Sequence, residues 1–363
     1  MKNHKVIATS ALAGLIILGS IMESDAGYGD LQSGLPTRLE RETLTFTNAV
    51  RLAPQAFRDM YIPTALTILQ PAHYPAVGPV WYNHNLNTAS HIHSVDMAEN
   101  CGMKHESCDN TPWSTRVKSY YTSGTSIAEN VATGKSTGIA TVIQWLRDDD
   151  SNGQPAADKS SNDGHRINIM NGAYREMGNG YAYSESRKWY HFWTQDFGSA
   201  PGNGYKIPAG THFIPPNSST KLDFAAIYYD KTGQAPLKAI IVIDDTENSM
   251  TLSLGTASAG TYLYSRPKDN NAHCYYFKFT DGTGAVIRYP ETMTLSTTSD
   301  EGCLGAGTKY RGNTLSRNPG SHSSRSVHVY TIRGESVGTS SVVAGVTIQY
   351  HNGSIRAVPV IHH

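Results

Sequence analysis

Four short segments of this 363-residue chain place imidazoles and carboxylates in polar surroundings: Lys104-His105-Glu106, Ala128-Glu129-Asn130, Leu146-Arg147-Asp148 and Gly164-His165-Arg166. Two imidazoles with one or two acids can hold a divalent metal, zinc above all, and leave a coordination position open. On that reading His105 and His165 are the metal ligands. The same residue types serve general acid–base chemistry, with Glu129 and Asp148 as the candidate bases. His105 and His165 are not the i, i+4 pair of an H-E-x-x-H helix, so only the fold can bring them together. Asp148-Asp149-Asp150-Ser151-Asn152-Gly153 follows the first half of a calcium loop, with Asp148, Asp150 and Asn152 as oxygen ligands. Its twelfth position is Lys159, where that loop requires a bidentate Glu, and Asp148 cannot serve both sites. A solvated acidic loop is the expectation there.

The elements that carry these residues are read from periodicity. Leu86, Ala89, His93 and Met97 recur at helical spacing, as do Ile139, Val142, Ile143 and Leu146. His93 falls on the apolar face, which makes it a core residue. Ile169, Met170, Ala173 and Met177 predict a third helix after Asp163, a plausible N-cap. The period then changes to two: Trp193, Gln195 and Phe197 point one way, Phe192 and Thr194 the other. That strand closes the first domain, and the Gly- and Pro-bearing stretch 199–216 reads as a linker.

From 217 to 363 short strands follow one another, with sharp turn signals at Asp281-Gly282-Thr283-Gly284 and Asn352-Gly353. An all-β, Ig-like antiparallel sandwich is expected, with the end of the chain as a candidate separate β unit. The stretch 307–325 reads as a loop. Tyr228, Tyr229, Tyr262, Tyr264, Tyr275 and Tyr276 would stack on ligands if exposed, and strand packing is the default for such residues.

Composition narrows the function classes. Hydrophobic residues make up 39% and charged ones 17%, which is unlike a disordered chain. Thirty basic residues balance thirty acidic ones without a basic run, so a nucleic-acid partner is not expected. Lys2 and Lys5, an uncharged run over 6–22 and the small residues Ser24 and Ala26 predict a signal peptide over 1–26, cut after Ala26. A secreted or periplasmic protein follows, touching membrane only through that leader. Four cysteines suit an oxidising compartment. Pairing Cys101 with Cys108 and Cys274 with Cys303 keeps each loop within one domain.

The order of the segments resembles the CAP superfamily, the cysteine-rich secretory, antigen-five and pathogenesis-related proteins with their SCP-like bacterial members. The resemblance spans 39–198. It rests on Asn48-Ala49-Val50-Arg51, Leu86 through Ala98, Lys104-His105, Glu129-Asn130, Trp145, Gly164-His165-Arg166-Ile167-Asn168 and Trp193-Thr194-Gln195-Asp196-Phe197-Gly198. It implies an α+β chain whose first domain is a three-layer α-β-α sandwich with a cleft of two His and two acids. His105, Glu129 and His165 take three of those positions, and Asp148, three residues after Trp145, stands where the family has Glu. The family's members are credited with binding lipids or sterols, blocking partners and, in a few cases, hydrolysis, and the partner expected here is a lipid, an envelope component or an extracellular protein. The expectation is therefore an extracellular binding module with a His/acid cleft for a divalent metal. A metal-dependent peptide or ester hydrolase and an adhesin-like protein acting through its β-sandwich are the alternatives.

Overall fold

The computed structural model describes residues 26–300, Cys303 and four strands further along the chain. In order, its first part holds α1 (Arg38–Leu52), α2 (Pro54–Tyr61), β1 (Trp81–Tyr82), α3 (His84–Asp96), a π-helical turn (Met97–Cys101), α4 (Trp113–Tyr120), β2 (Ile127–Thr133), α5 (Gly138–Arg147), α6 (Gly164–Ile169), β3 (Glu176–Tyr183) and β4 (His191–Gly198). The four strands form one sheet in the order β1-β3-β4-β2, with β1 parallel to β3 and the other pairs antiparallel. Helix α3 lies against one face at very short range. A Cβ on Gly178 would stand 2.0 Å from the Asn87 nitrogen, and one on Gly180 would stand 2.0 Å from the Ser90 oxygen. Only glycine admits a helix backbone that close.

Helices α1 and α5 cover the other face, where Phe46, Val50, Ile139, Val142 and Trp145 pack with Ala132, Trp193 and Phe197 in one core. The result is an α-β-α arrangement. Helix α1 begins with a capping box between Thr37 and Glu40. It is buried along nearly its whole length, Glu40, Arg41, Glu42 and Arg51 included, because its outer side meets a second sheet. Two of its polar residues fasten loops from within: Asn48 bonds both Val80 N and Val80 O, and Arg51 donates to the carbonyls of Gly78, Ile169, Asn171 and Tyr174.

That second sheet belongs to a β-sandwich. Its strands are β5 (Ala209–Phe213), β6 (Lys221–Tyr229), β7 (Lys238–Ile243), β8 (Thr246–Ser249), β9 (Thr251–Thr256), β10 (Ala259–Pro267), β11 (Cys274–Thr280), β12 (Val286–Tyr289) and β13 (Leu295–Ser296). They make two antiparallel sheets, β5-β6-β10-β9 and β12-β11-β7-β8, with β13 added on β11. Phe224, Ala226, Tyr228, Ile241, Tyr275, Phe277 and Phe279 fill the space between them. Tyr228, Tyr262 and Tyr275 are thus buried strand residues rather than a stacking surface. On the outer side, Phe213, Ala225 and Ile227 join the core around Phe46, whose ring meets that of Phe213 at 4.8 Å.

Two readings of the sequence are corrected here. The stretch 199–216 is not simply a linker: it contains β5, because Ile207, Ala209 and Phe213 are apolar enough to be fully buried despite the surrounding Gly and Pro. The third helix stops at Ile169, and Met177 lies in β3, so the apparent helical period across Asn171-Gly172 joined two different elements. Both disulfides form as expected, Cys101 with Cys108 and Cys274 with Cys303. The Asp281–Gly284 turn joins the antiparallel β11 and β12.

A separate compact unit covers Tyr310–His363. It contains β14 (His328–Tyr330) paired with β15 (Ser336–Thr339), and β16 (Val346–His351) paired with β17 (Ser354–Pro359). Residues 1–25 of the signal peptide expected over 1–26, the stretch 307–325 and the Asn352-Gly353 turn lie outside the described residues. Among the described residues, no helix is long and apolar enough to cross a membrane.

Candidate functional site

Each of the two imidazoles reaches its place by a different route. His105 sits in the loop closed by the Cys101–Cys108 disulfide. Buried His93 on α3 donates from Nε2 to the Lys104 carbonyl (2.9 Å), and Arg116 on α4 donates to the His105 carbonyl and to Ser107 Oγ, both at 3.0 Å. His93 is therefore a core residue that holds the loop from below. Glu129 arrives on β2, the edge strand, and its Oε1 accepts from His105 Nδ1 at 2.8 Å. Arg116 donates to the other oxygen of the same carboxylate.

His165 opens α6. Its backbone N–H donates to Asp148 Oδ2 (3.1 Å), and its Nδ1 bonds the other oxygen of Asp148. Asp148 is the C-cap of α5 and adopts the left-handed conformation (φ 45°, ψ 49°), which aspartate tolerates better than most residues. That turn swings the carboxylate back toward α6. Arg166 fixes the ends of both helices from inside, bonding the Leu146 and Ala156 carbonyls and lying 2.7 Å from Asp163 Oδ1. Asp163 does not cap α6 with its side chain; its carboxylate is taken by Arg166, Tyr74 and Lys159 N. Asn130 donates to the His165 carbonyl (3.3 Å) and receives Asn168 Nδ2 at 2.8 Å.

These routes converge. His105, Glu129, Asp148 and His165 line one hollow of ≈ 230 Å³, together with Ser161, Asn162, Gly164 and Asn168. That is below the ~300 Å³ at which pockets for small organic ligands begin, and suits a hydrated ion or a single side chain. A larger groove of ≈ 680 Å³ adjoins it, sharing Asp148, Asn162 and His165 and continuing over Met103, Val131, Ile143 and Trp145.

In both pairs the carboxylate accepts from Nδ1, which leaves Nε2 as the ring nitrogen for a ligand. Metal-binding histidines are oriented in this way, by a carboxylate on the far nitrogen. The hydrogen bond to Glu129 raises the pKa of His105 above the ordinary imidazole value, against the opposing effect of burial. Burial, reinforced by the neighbouring charge of Glu129, holds the fully buried Asp196 well above the usual carboxylate range. Each oxygen of Glu129 and of Asp148 accepts one hydrogen bond, so both carboxylates are held in fixed orientation against their imidazoles.

The calcium-type loop is a closed turn. Asp150 Oδ1 accepts from Asn152 N and Gln154 N, Asp149 pairs with Arg147, and Asp148 turns to His165. Among the described residues, one grouping brings three His, Cys, Asp or Glu donors within 4.8 Å of one another, Asp96 with Cys101 and Cys108, and those sulfurs are joined in the disulfide. The donors of the hollow stand wider apart.

Sequence reasoning missed Arg116, which ties His105 to Glu129, and Asn130 as the support of His165. Asn130 stood beside Glu129 in plain view; Arg116 had only its place on a short helix after the His105 loop. It also passed over Gly134-Lys135-Ser136-Thr137-Gly138, a G-x-S-x-G match in the turn from β2 to α5. Ser136 is exposed and makes no hydrogen bond among the described residues.

Residues 44–197 match the family described as the cysteine-rich secretory protein family, CAP. No curated protein matches the chain. Among solved structures, an extracellular protein containing a SCP domain from Bacillus anthracis is 22% identical, with 34% of this chain and 34% of that chain covered and a TM-score of 0.26. An outer surface protein from Borrelia burgdorferi is 15% identical over 40% of this chain and 92% of its own, with a TM-score of 0.28. Venom allergen-like protein 4 from Schistosoma mansoni is 15% identical over 48% and 96%, with a TM-score of 0.29. This chain thus spans about a third of the Bacillus protein's length, and the family assignment rests on the sequence match. Over residues 44–197 the chain is a CAP domain of the cysteine-rich secretory protein family.

Proposed function

We propose that the protein is a secreted binding module whose CAP hollow takes a divalent metal, Zn²⁺ by preference, through His105 and His165. The observation that carries this reading is that both imidazoles face one hollow with Nδ1 already committed to a carboxylate. The donor set fits the group: two oriented imidazoles, with room beside them for water. A bound metal would supply Lewis acidity at the mouth of the adjoining groove. The chain's own residues orient the ligands. Glu129 and Asp148 fix the tautomers, Arg116 pairs with the far oxygen of Glu129, and Asn130 holds the His165 backbone. The groove over Met103, Val131, Ile143 and Trp145 is of ligand size and mixed polarity, and it would receive a lipid, an envelope component or a segment of an extracellular protein.

The test is calorimetric zinc titration of the wild type and of the His105→Ala/His165→Ala double variant, followed by a peptide and ester substrate screen. Stoichiometric binding lost in the variant, without turnover, is the expected result. Equal binding by both proteins would overturn the site; metal-dependent turnover lost in the variant would replace the binding module with a hydrolase.

A further inference from the structure

The segment 27–30 is fastened to both halves of the first unit. Tyr28 Oη donates to the Pro208 carbonyl (2.7 Å) and accepts from Tyr82 N (2.9 Å), so it bridges the approach to the β-sandwich and strand β1 of the CAP sheet. Its ring lies against Tyr205 and Tyr289, with centroids at 4.9 and 6.0 Å. Asp30, only 2% exposed, accepts from Thr292 N (3.0 Å), Met293 N (2.9 Å) and the Thr292 hydroxyl, and these contacts fix it to the sandwich. Its Oδ2 also accepts from Gly27 N at 2.8 Å, while Glu291 Oε2 accepts from Tyr28 N at 2.8 Å. A Cβ on Gly27 would stand 2.8 Å from Glu291 Cβ and 2.9 Å from Asp30 Oδ2, and would have Glu291 Oε2 within 3.1 Å. Two carboxylates therefore flank a residue that has no room for a side chain.

A peptide N–H gives such a pocket one proton and no charge, whereas a free α-amino group brings three donors and a positive charge. The expected leader cut falls directly before Gly27. We infer that Gly27, freed by hydrolysis of the Ala26–Gly27 bond, carries an α-ammonium that docks between Asp30 and Glu291 and locks the CAP domain to the β-sandwich. In that step a protease of the signal-peptidase class adds water across the amide. The hydroxyl stays on the Ala26 carbonyl carbon, and the Gly27 nitrogen gains a proton and takes up a second at neutral pH. The other ionisable groups facing the pocket are Arg288 and the tyrosines Tyr28, Tyr205 and Tyr289. Burial raises all three tyrosines, Tyr205 and Tyr289 to about 12, so the α-amino group is the one among them that loses its charge between pH 7 and about 10.

The test begins with the full chain exported from a bacterial host through its own leader, its N-terminus read by intact mass. Its Tm is then compared with that of a chain starting at Ala26, released from a cleavable fusion. The expected results are a first residue at Gly27, a Tm about 2–4 °C higher than that of the Ala26 chain at pH 7, and loss of that advantage by pH ~10. Glu291→Gln, at an exposed position that should still fold, should shrink the difference at pH 7. A first residue other than Gly27, equal Tm values at pH 7, or a difference unchanged at pH 10 or in Glu291→Gln would overturn the assignment.

Discussion

The two halves of the hollow do the same job by different physics. On the β2 side, the Glu129 carboxylate is completely buried and its charge is balanced by Arg116, itself almost buried, while His105 remains 45% exposed. On the α5–α6 side, Asp148 keeps some contact with water, and its partners are His165's own ring and backbone. The first half is a charge pair inside the protein, and removing one member leaves the other stranded. The second is a junction of two helix ends, set by backbone conformation. The comparison separates what holds the site in place from what presents it to solvent.

Arg116→Ala attacks the buried pair and should show the largest effect. Breaking such a pair by deleting one partner costs ~3–5 kcal/mol, because an uncompensated charge stays inside. Urea unfolding should register a loss of that size, and a loss below ~1 kcal/mol would mean that Glu129 finds another partner.

Glu129→Gln probes orientation on the same side. An amide facing Nδ1 would favour the opposite tautomer of His105, placing the proton on Nε2. Zinc affinity should fall ~10–100-fold, the usual cost of losing such a support. Unchanged affinity would show that the tautomer is not set here.

Asp148→Asn should be milder. Asparagine is at home in the left-handed conformation and still accepts from His165 N, so the loss should be about 1 kcal/mol, the size of one hydrogen bond. Should it match Arg116→Ala, the contrast between the two halves would fail.

The smallest effect is that of pH. The folded pKa of His105 is raised by its hydrogen bond to Glu129, so its contribution is complete below the unfolded value and is lost as pH rises through the folded one. With a side chain 45% exposed, that contribution is at most ~0.5 kcal/mol after screening. Zinc affinity should climb over the same window, since only neutral imidazole ligates. NMR titration of the imidazole should place His105 above the ordinary value in the wild type and return it there in Glu129→Gln.

Much of this arrangement is legible in the sequence because it is carried by local signals. Trp145 with Asp148 three residues on, the Gly164-His165-Arg166 run and the period-two strand over 191–198 each announce their element. The pairing of His105 with Glu129 needed the family resemblance, since no spacing rule links a loop to a strand 24 residues away. Arg116 escaped notice because a buried arginine looks like any surface one until its partners are known. Helix α1 misleads for the same reason: Glu40, Arg41 and Glu42 would mark a solvated face in isolation, yet a sheet on either side buries them. Strand β5 was hidden by the glycines and prolines on either side of its short apolar core.

The central claim, that two imidazoles oriented at Nδ1 offer Nε2 to one metal, is tested most directly by long-range proton–nitrogen NMR of the histidine side chains during zinc addition. The account predicts that His105 and His165 shift together at one equivalent of zinc, with Nε2 metallated and Nδ1 still protonated in both. Metallation of only one ring, coordination through Nδ1, or no change in either would contradict it.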